Sequence, residues 1–332
     1  MPAGDPELAA KLGALAGRGA RSLAAGLIDI QRSDTIRCAF IDADAGTRFE
    51  IGSVTKGLTG MLLADAIARG ELSLETDVGM IYHDSASTEF GSVTMKELCT
   101  HTSGLPKVAK GTLAPARALR SLLLQTDPYR GSTPRGVLAL AAHQPLFQHG
   151  RYQYSNLGAA VVGELLATVA GRDYSSLLRE RIFRPLGLDS SLVSSADDTA
   201  PKGWSASGRP QQPWIMDGYA PAGAVVSTMT DMAQLAVSLL RASAPGQGSL
   251  APIDGVATNR SGRGSGMFWV IDAIPGTDHS MIWHNGQTGG YSAFFGLFPD
   301  AGRAVIVLAN VARPADTERI ALTLIGLRAD SP

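Results

Sequence analysis

FEIGSVTKGLTGMLLADAIARG, residues 49–70, decides how this chain is read. A β-prone start, Phe49-Glu50-Ile51, meets Gly52 and runs into residues 54–69, which are apolar on nearly every side and stop at Gly70. A helix that is apolar all round belongs in the interior of a large fold, and a glycine just past its last turn is a common stop. One residue breaks the pattern. Lys56 lies in the first turn, three residues after Ser53, so the two side chains share a face. An unpaired ammonium would be costly to bury there. A lysine confined among apolar groups loses basicity until it can act as a base, which a serine hydroxyl needs before it attacks anything at neutral pH. The helix N-terminus adds a field that favours oxyanion character. The structural alternative is that Ser53 caps the helix and Lys56 snorkels to its surface. No other Ser-x-x-Lys occurs in the chain.

Working outward, residues 7–17 have the pattern of a short amphipathic helix. RSLAAGLIDI (21–30) and TIRCAFIDAD (35–44) alternate as two strands around Arg32-Ser33-Asp34, and TRFEI (47–51) is a third after Asp44-Ala45-Gly46. Residues 71–200 turn mostly helical, with Pro106, Pro115, Pro128, Pro134, Pro145 and Pro185 at loops and helix boundaries. TMTDMAQLAVSLLRAS (228–243) reads as a helix and the Gly- and Ser-rich residues 246–266 as a loop. GMFWVIDAI (266–274), SMIWHNG (280–286), YSAFFGLF (291–298) and RAVIVLAN (303–310) read as strands, and ADTERIALTLIGL (315–327) as a closing helix. Strands at both ends with helices between predict an α/β (α+β) fold. Residues 1–75 and 220–332 then build one antiparallel sheet flanked by helices, and 76–219 form an inserted helical region of the same single domain, 1–332.

Composition narrows the function. A chain of 332 residues with 45% apolar and 18% charged residues is globular rather than disordered. Its 29 Lys plus Arg against 30 Asp plus Glu leave a net charge of -1, so no broad cationic surface awaits nucleic acid. No run reaches the ~18–20 apolar residues of a membrane span. The nearest, residues 157–170, carries Glu164. Cys38 and Cys99 lack a Cys-x-x-Cys spacing and read as small buried apolar residues rather than a bridge. The start, MPAGDPELAAKL, places Asp5 and Glu7 where a leader would carry positive charge, which makes a cytoplasmic protein the expectation, or a secreted one if a leader has been removed.

Two further motifs carry chemistry. Tyr154-Ser155-Asn156 stands just before the helix pattern of residues 156–171. A phenol beside an ammonium is pushed towards phenolate and can shuttle a proton, while an Asn amide can orient a carbonyl. The plainer alternative is a packed aromatic and a helix cap. His284-Asn285-Gly286 ends an apolar strand before GQTGGYSAFF. Glycine there lets a substrate approach the backbone, a strand edge can supply an oxyanion N–H, and His284 can add a hydrogen bond or positive potential. Alone, such a His is an ordinary strand end.

In this order, Ser53-x-x-Lys56, Tyr154-x-Asn156 and His284-x-Gly286 resemble the three active-site motifs of serine hydrolases related to class C β-lactamases and penicillin-binding proteins. Residues 49–74, MKELCTHTSGLP (95–106), RYQYSNLGAAVVGELL (151–166), IFRPLGLDSS (182–191) and APAGAVVSTMTDMAQLA (220–236) look like sequence of the same family, so the resemblance spans about residues 20–312. It implies a β-lactamase/transpeptidase-like fold with the active site between the sheet and an all-helical lobe. Ser53 is then the acylated nucleophile, Lys56 and Tyr154 share proton transfer, Asn156 positions the substrate, and the N–H groups of Ser53 and Gln287 form the oxyanion hole. Neither a metal nor an organic cofactor is implied. Asn285, Gly286, Gln287 and Thr288 are expected to line the pocket beside Tyr291.

Where true class C β-lactamases have Lys-Thr-Gly, this chain has His284 and Asn285, as do DD-peptidase, D-aminopeptidase and esterase relatives at the His position. A neutral His284 holds a substrate carboxylate less well than Lys, which argues against efficient β-lactam turnover and for a neutral ester or small amide. The expected function is a serine hydrolase that forms an acyl-enzyme on a small-molecule acyl substrate. An acyltransferase using the same intermediate and a slowly acylated β-lactam sensor are the alternatives, and the motifs leave oligomeric state open. Of the remaining residues, His101 reads as satisfying a buried turn and His149 as flanking the Tyr154 loop. Trp204, Trp214, Trp269 and Trp283 read as core or pocket wall, Trp214 and Trp283 being the better pocket candidates. Residues 107–135, with Lys107, Lys110, Arg117, Arg120, Arg130 and Arg135, read as a solvated basic helical excursion that borders the cleft.

Overall fold

The apolar runs at the two ends of the chain pair with each other. The computed structural model describes residues 2–16, 21–31, 34–110, 121, 123–195, 202–256, 264–274 and 276–327. In chain order its strands are β1 (Pro2–Gly4), β2 (Leu23–Asp29), β3 (Thr35–Ile41), β4 (Phe49–Glu50), β5 (Leu192–Val193), β6 (Gly203–Trp204), β7 (Pro210–Gln211), β8 (Val225–Ser227), β9 (Gly264–Ser265), β10 (Val270–Ala273), β11 (Ser280–Gln287), β12 (Ser292–Phe298) and β13 (Arg303–Ala309). The longer helices are α1 (Pro6–Leu15), α2 (Thr55–Ala68), α3 (Pro134–Ala142), α4 (Asn156–Ala170), α5 (Met229–Leu240) and α6 (Pro314–Leu324). Eight strands form one antiparallel sheet in the order β1-β3-β2-β13-β12-β11-β10-β9. The two chain ends join where Leu23 to Asp29 pair with Ala309 to Arg303.

Helices cover both faces of that sheet, which is why its central strands are apolar at every position rather than at every second one. On β13, Val305 and Val307 pack with Leu8 and Leu12 of α1 and Ile320 of α6. The alternating Ile306 and Leu308 belong to the other core, with Met229 and Met232 of α5. Each such side chain stabilises by about 1.5–3 kcal/mol on full burial. On this second face α2 is buried through Ala66, wedged against α4. Ser155 Oγ caps α4 by accepting from Gly158 N–H at 2.8 Å, and Gly171 ends it with φ +62°.

Four expectations change. TRFEI yields only Phe49–Glu50, and these pair with Val226 and Ser227 in a small sheet of β4, β8 and β5, not with the main sheet. GMFWVIDAI yields only β10, Val270–Ala273, because Phe268 takes φ +64° and the N–H groups of Met267 and Phe268 bond to Ser249 and Cys99 across to the helical side. β1 was not anticipated: three residues extend the sheet beyond β3. Within 76–219, the short strands β5, β6 and β7 interrupt the helices. Cys99 is buried as expected, whereas Cys38 is half-buried, and both are free thiols. Of the basic residues 107–135, Arg117 and Arg120 lie outside the described residues. No helix among the described residues is long and apolar enough to cross a membrane.

Candidate active site

β10 runs beside β11 only as far as Val270 opposite Trp283, whereas β12 accompanies β11 to Gln287. The edge from His284 to Gln287 is thereby left facing the start of α2. There Gly52, at φ +51°, begins a tight 3-10 turn over Gly52–Val54 that presents Ser53 at the N-terminal end of α2. Backbone meets backbone at this point. A Cβ on Gly286 would sit 1.9 Å from the Ile51 carbonyl oxygen and 3.3 Å from Ser53 N, and one on Gly52 would sit 2.5 Å from Gln287 N. Two glycines therefore bring the N–H groups of Ser53 and Gln287 into one neighbourhood, which no side chain at either position would permit.

Lys56 is completely buried, and its Nζ donates to Ser53 Oγ at 3.0 Å and to the Ala222 carbonyl at 2.6 Å. That carbonyl belongs to the short helix Ala220–Gly223, whose place is fixed by Thr59 Oγ1 donating to the Pro221 carbonyl at 2.8 Å. With no carboxylate against it among the described residues, Lys56 is held well below its usual lysine range, first by burial and then by the charge of Lys107. Tyr154 O–H donates to the same Ser53 Oγ at 2.7 Å, and the Lys56 ammonium nitrogen lies 4.9 Å from the centre of its ring. Burial pushes the Tyr154 phenol up, so it is a protonated donor. Desolvation of the anion works against the expected push towards phenolate, and burial also weakens the charge of the lysine that would drive it.

Asn156 Nδ2 donates to Tyr129 Oη at 2.9 Å, while its Oδ1 is buried without a partner among the described residues. The plainer role as cap falls to Ser155. His284 is buried with its Nδ1 against the Asn285 carbonyl, and burial with the nearby Lys56 lowers it to about 3. It is a neutral imidazole, and the positive potential expected of it is absent at physiological pH. Thr288 is buried and bonds to Glu50, which also accepts from Trp214 N–H at 3.0 Å. Burial raises this carboxyl to about 7. Tyr291 is only 1% exposed and stands edge-on to Phe49, behind the pocket rather than in it.

Ser53, Tyr154, Asn156, Asn285, Gly286, Gln287 and Thr288 thus come together around a cleft of about 730 Å³, and Lys56 lies beneath it. Lys107, Thr126, Pro128 and Tyr129 from the basic stretch form one wall and Trp214 another. Trp283 is not in this cleft. It stacks on Phe294 and lines a separate cavity of about 170 Å³ that also touches Tyr154 and His284. Trp269 is core, and Trp204 carries the Arg21 guanidinium over its ring. His149 pairs with Glu97 at 2.7 Å.

Several contributors escape a reading of motifs. The Ala222 carbonyl had no signal beyond the need of a buried lysine for an acceptor. Tyr129 packs edge-on against Trp214 and is tied down by Asp127, whose carboxylate accepts from the N–H groups of Tyr129, Ile215 and Met216. His101 accepts from Ser155 N–H at 3.2 Å through Nδ1, stacks 4.7 Å from the Tyr154 ring, and so fixes the loop that aims the phenol. Its φ of +60° marked it as unusual only once the backbone was known.

The family model described as Beta-lactamase matches residues 14–330. Over 298 residues the chain is 26% identical to an unguisins hydrolase of Aspergillus campestris, covering 80% of this chain but 52% of that protein, so it spans about half the fungal enzyme's length. It is 24% identical to a beta-lactamase of Escherichia coli, covering 80% of this chain and 75% of that one. In fold it is similar to a class C beta lactamase from Rhodobacter sphaeroides, with a TM-score of 0.79 at 18% identity over 96% of this chain and 98% of that one. A D-stereospecific amidohydrolase from Streptomyces sp. gives 0.79 at 22% identity over 98% and 100%.

Proposed function

The chain belongs to the beta-lactamase family of serine hydrolases, and from that premise we propose that it works through a covalent acyl-enzyme on Ser53, cleaving an ester or small amide. A single observation carries the proposal: one hydroxyl oxygen stands 3.0 Å from a buried lysine whose basicity burial lowers and 2.7 Å from a phenol that burial keeps from ionising.

Neutral Lys56 keeps its N–H on the Ala222 carbonyl and turns its lone pair to the Ser53 hydroxyl. As Ser53 Oγ bonds to the substrate carbonyl carbon, its proton passes to Nζ. The carbonyl oxygen, now negative, meets the Ser53 and Gln287 N–H groups, a term worth about 10²–10³ in rate for one donor. When the carbon–leaving-atom bond breaks, Tyr154 gives that atom its proton and is restored from Lys56. Water then attacks the acyl-enzyme along the reverse proton path, releasing acid and freeing Ser53. Asn156 lines the cleft and its Oδ1 has no partner among the described residues, so a small turn of the amide would let it accept from or donate to the acyl portion.

The test is intact-mass and peptide mapping after exposure to an activated ester and to a β-lactam. An adduct confined to Ser53 and lost in Ser53→Ala is expected. No adduct across a broad acyl panel refutes the proposal.

A further inference from the structure

Tyr154 separates two spaces of different character. On the Ser53 side is the large cleft, rimmed by polar groups such as Gln125, Gln211, Asn156 and Thr288. On the other side is the smaller cavity of about 170 Å³, which Tyr154 and Asn285 share with the cleft and whose remaining walls include Tyr152, Phe268, Trp269, Val270 and Trp283. Neither Ser53 nor Lys56 lines it. Resting on the acyl-enzyme reading above, the position of the phenol tells which substrate half goes where. The leaving atom must reach the Tyr154 O–H, so the leaving group extends past Tyr154, while the acyl group stays over Ser53 and Asn156.

We propose that the cavity behind Tyr154 is the leaving-group subsite and that it takes an uncharged, flat or apolar group, an aryl alcohol or aryl amine, in preference to one bearing a carboxylate. No Lys, Arg, Asp or Glu lines it among the described residues. Its two imidazoles offer no cation. His101 accepts through Nδ1, and His284 is likewise neutral, both held down by burial. A carboxylate entering here loses water and gains no counter-charge, so its desolvation goes uncompensated. Aromatic walls instead reward a ring.

The experiment compares three esters of one acyl group, phenyl, 4-acetylphenyl and 4-carboxyphenyl, with kcat/KM at pH 7 divided by each ester's hydroxide rate. The expected result is at least tenfold discrimination against the carboxylated leaving group, and its narrowing or reversal by at least tenfold in Val270→Arg, which places a cation at the cavity wall. Inhibition by phenol but not by 4-hydroxybenzoate gives the same answer without a variant. Equal handling of the three esters, or preference for the carboxylated one, overturns the assignment while leaving acylation at Ser53 standing. Failure of all three to turn over, with no adduct on Ser53, overturns both.

Discussion

Gly286→Ala is the sharpest perturbation of the nucleophile's surroundings that leaves every reacting side chain in place. The new methyl would lie 1.9 Å from the Ile51 carbonyl oxygen, where no contact below 3.0 Å is tolerated. Both partners are backbone, so no side chain can swing away, and the β11 edge must retreat from the Ser53 turn by about 1 Å. Gln287 N–H retreats with it. A misplacement of about 1 Å costs on the order of 10²-fold, and complete loss of an oxyanion donor about 10²–10³. The expected outcome is a fall in kcat/KM of that size, carried mainly by kcat because the displaced N–H serves the transition-state oxyanion and every reacting side chain stays in place. Crowding in a packed region adds about 1–3 kcal/mol of destabilisation. Steady-state kinetics on the phenyl ester, normalised to folded protein by thermal unfolding, measures the rate, and the acylation rate of Ser53 followed by mass should fall in parallel. A folded variant with kcat/KM within about fivefold of the parent would refute the idea that Gly286 sets an oxyanion donor.

Burial lowers Lys56 well below the ordinary lysine value of 10.5, so kcat/KM on a base-stable amide should rise with pH along a limb lying well below that value; Lys56→Arg, which cannot shed its proton, should abolish turnover at every pH. Tyr154→Phe should cost about 10²–10⁴ with a poor leaving group and far less with a nitrophenol that needs no proton, so the leaving-group dependence should steepen. Glu50 carries a carboxyl raised from 4.5 to about 7 and is 3% exposed, so folding favours its protonated form. Its contribution is present below pH 4.5, declines as pH rises towards 7 and is gone above it, roughly 3 kcal/mol in all. Urea unfolding at pH 4.5, 6 and 8 should show Glu50→Gln gaining stability over the parent at pH 8, and equal stabilities there would contradict this assignment.

What the sequence disclosed of this fold follows from where its information is local. Ser53 and Lys56 share a helical face by spacing alone, and a helix such as residues 55–68, apolar on all sides, announces its own burial. The runs in β2, β12 and β13 are unbroken because helices lie on both faces, and this density is visible without a structure. Residues 266–274 defeated the same reasoning. Met267, Phe268 and Trp269 are as apolar as any strand, yet they are buried by crossing to the helical side, where the N–H of Phe268 bonds to Cys99. Apolar periodicity reports that a residue is buried and not which partner buries it.

The protonation states lay further out of reach, and they carry most of the chemistry. A phenol near an ammonium is drawn towards phenolate only if the ammonium stays charged and the phenolate stays wet. Neither condition is local to Tyr154-x-Asn156 or Ser53-x-x-Lys56. Lys56 is desolvated under the cleft, where its Nζ bonds to an oxygen of Ser53 and the carbonyl of Ala222, the latter 166 residues away in the chain. Tyr154 is sealed on one flank by His101 and faces His284 on another, rings 53 residues before it and 130 after it. The same desolvation lowers the basicity of Lys56 and raises the phenol of Tyr154, so one physical cause acts on both halves of the proton path. A substitution that wets this pocket should therefore return Lys56 towards its charged form and weaken the base, which is why the three motifs identify the participants and the packing around them decides what each can do.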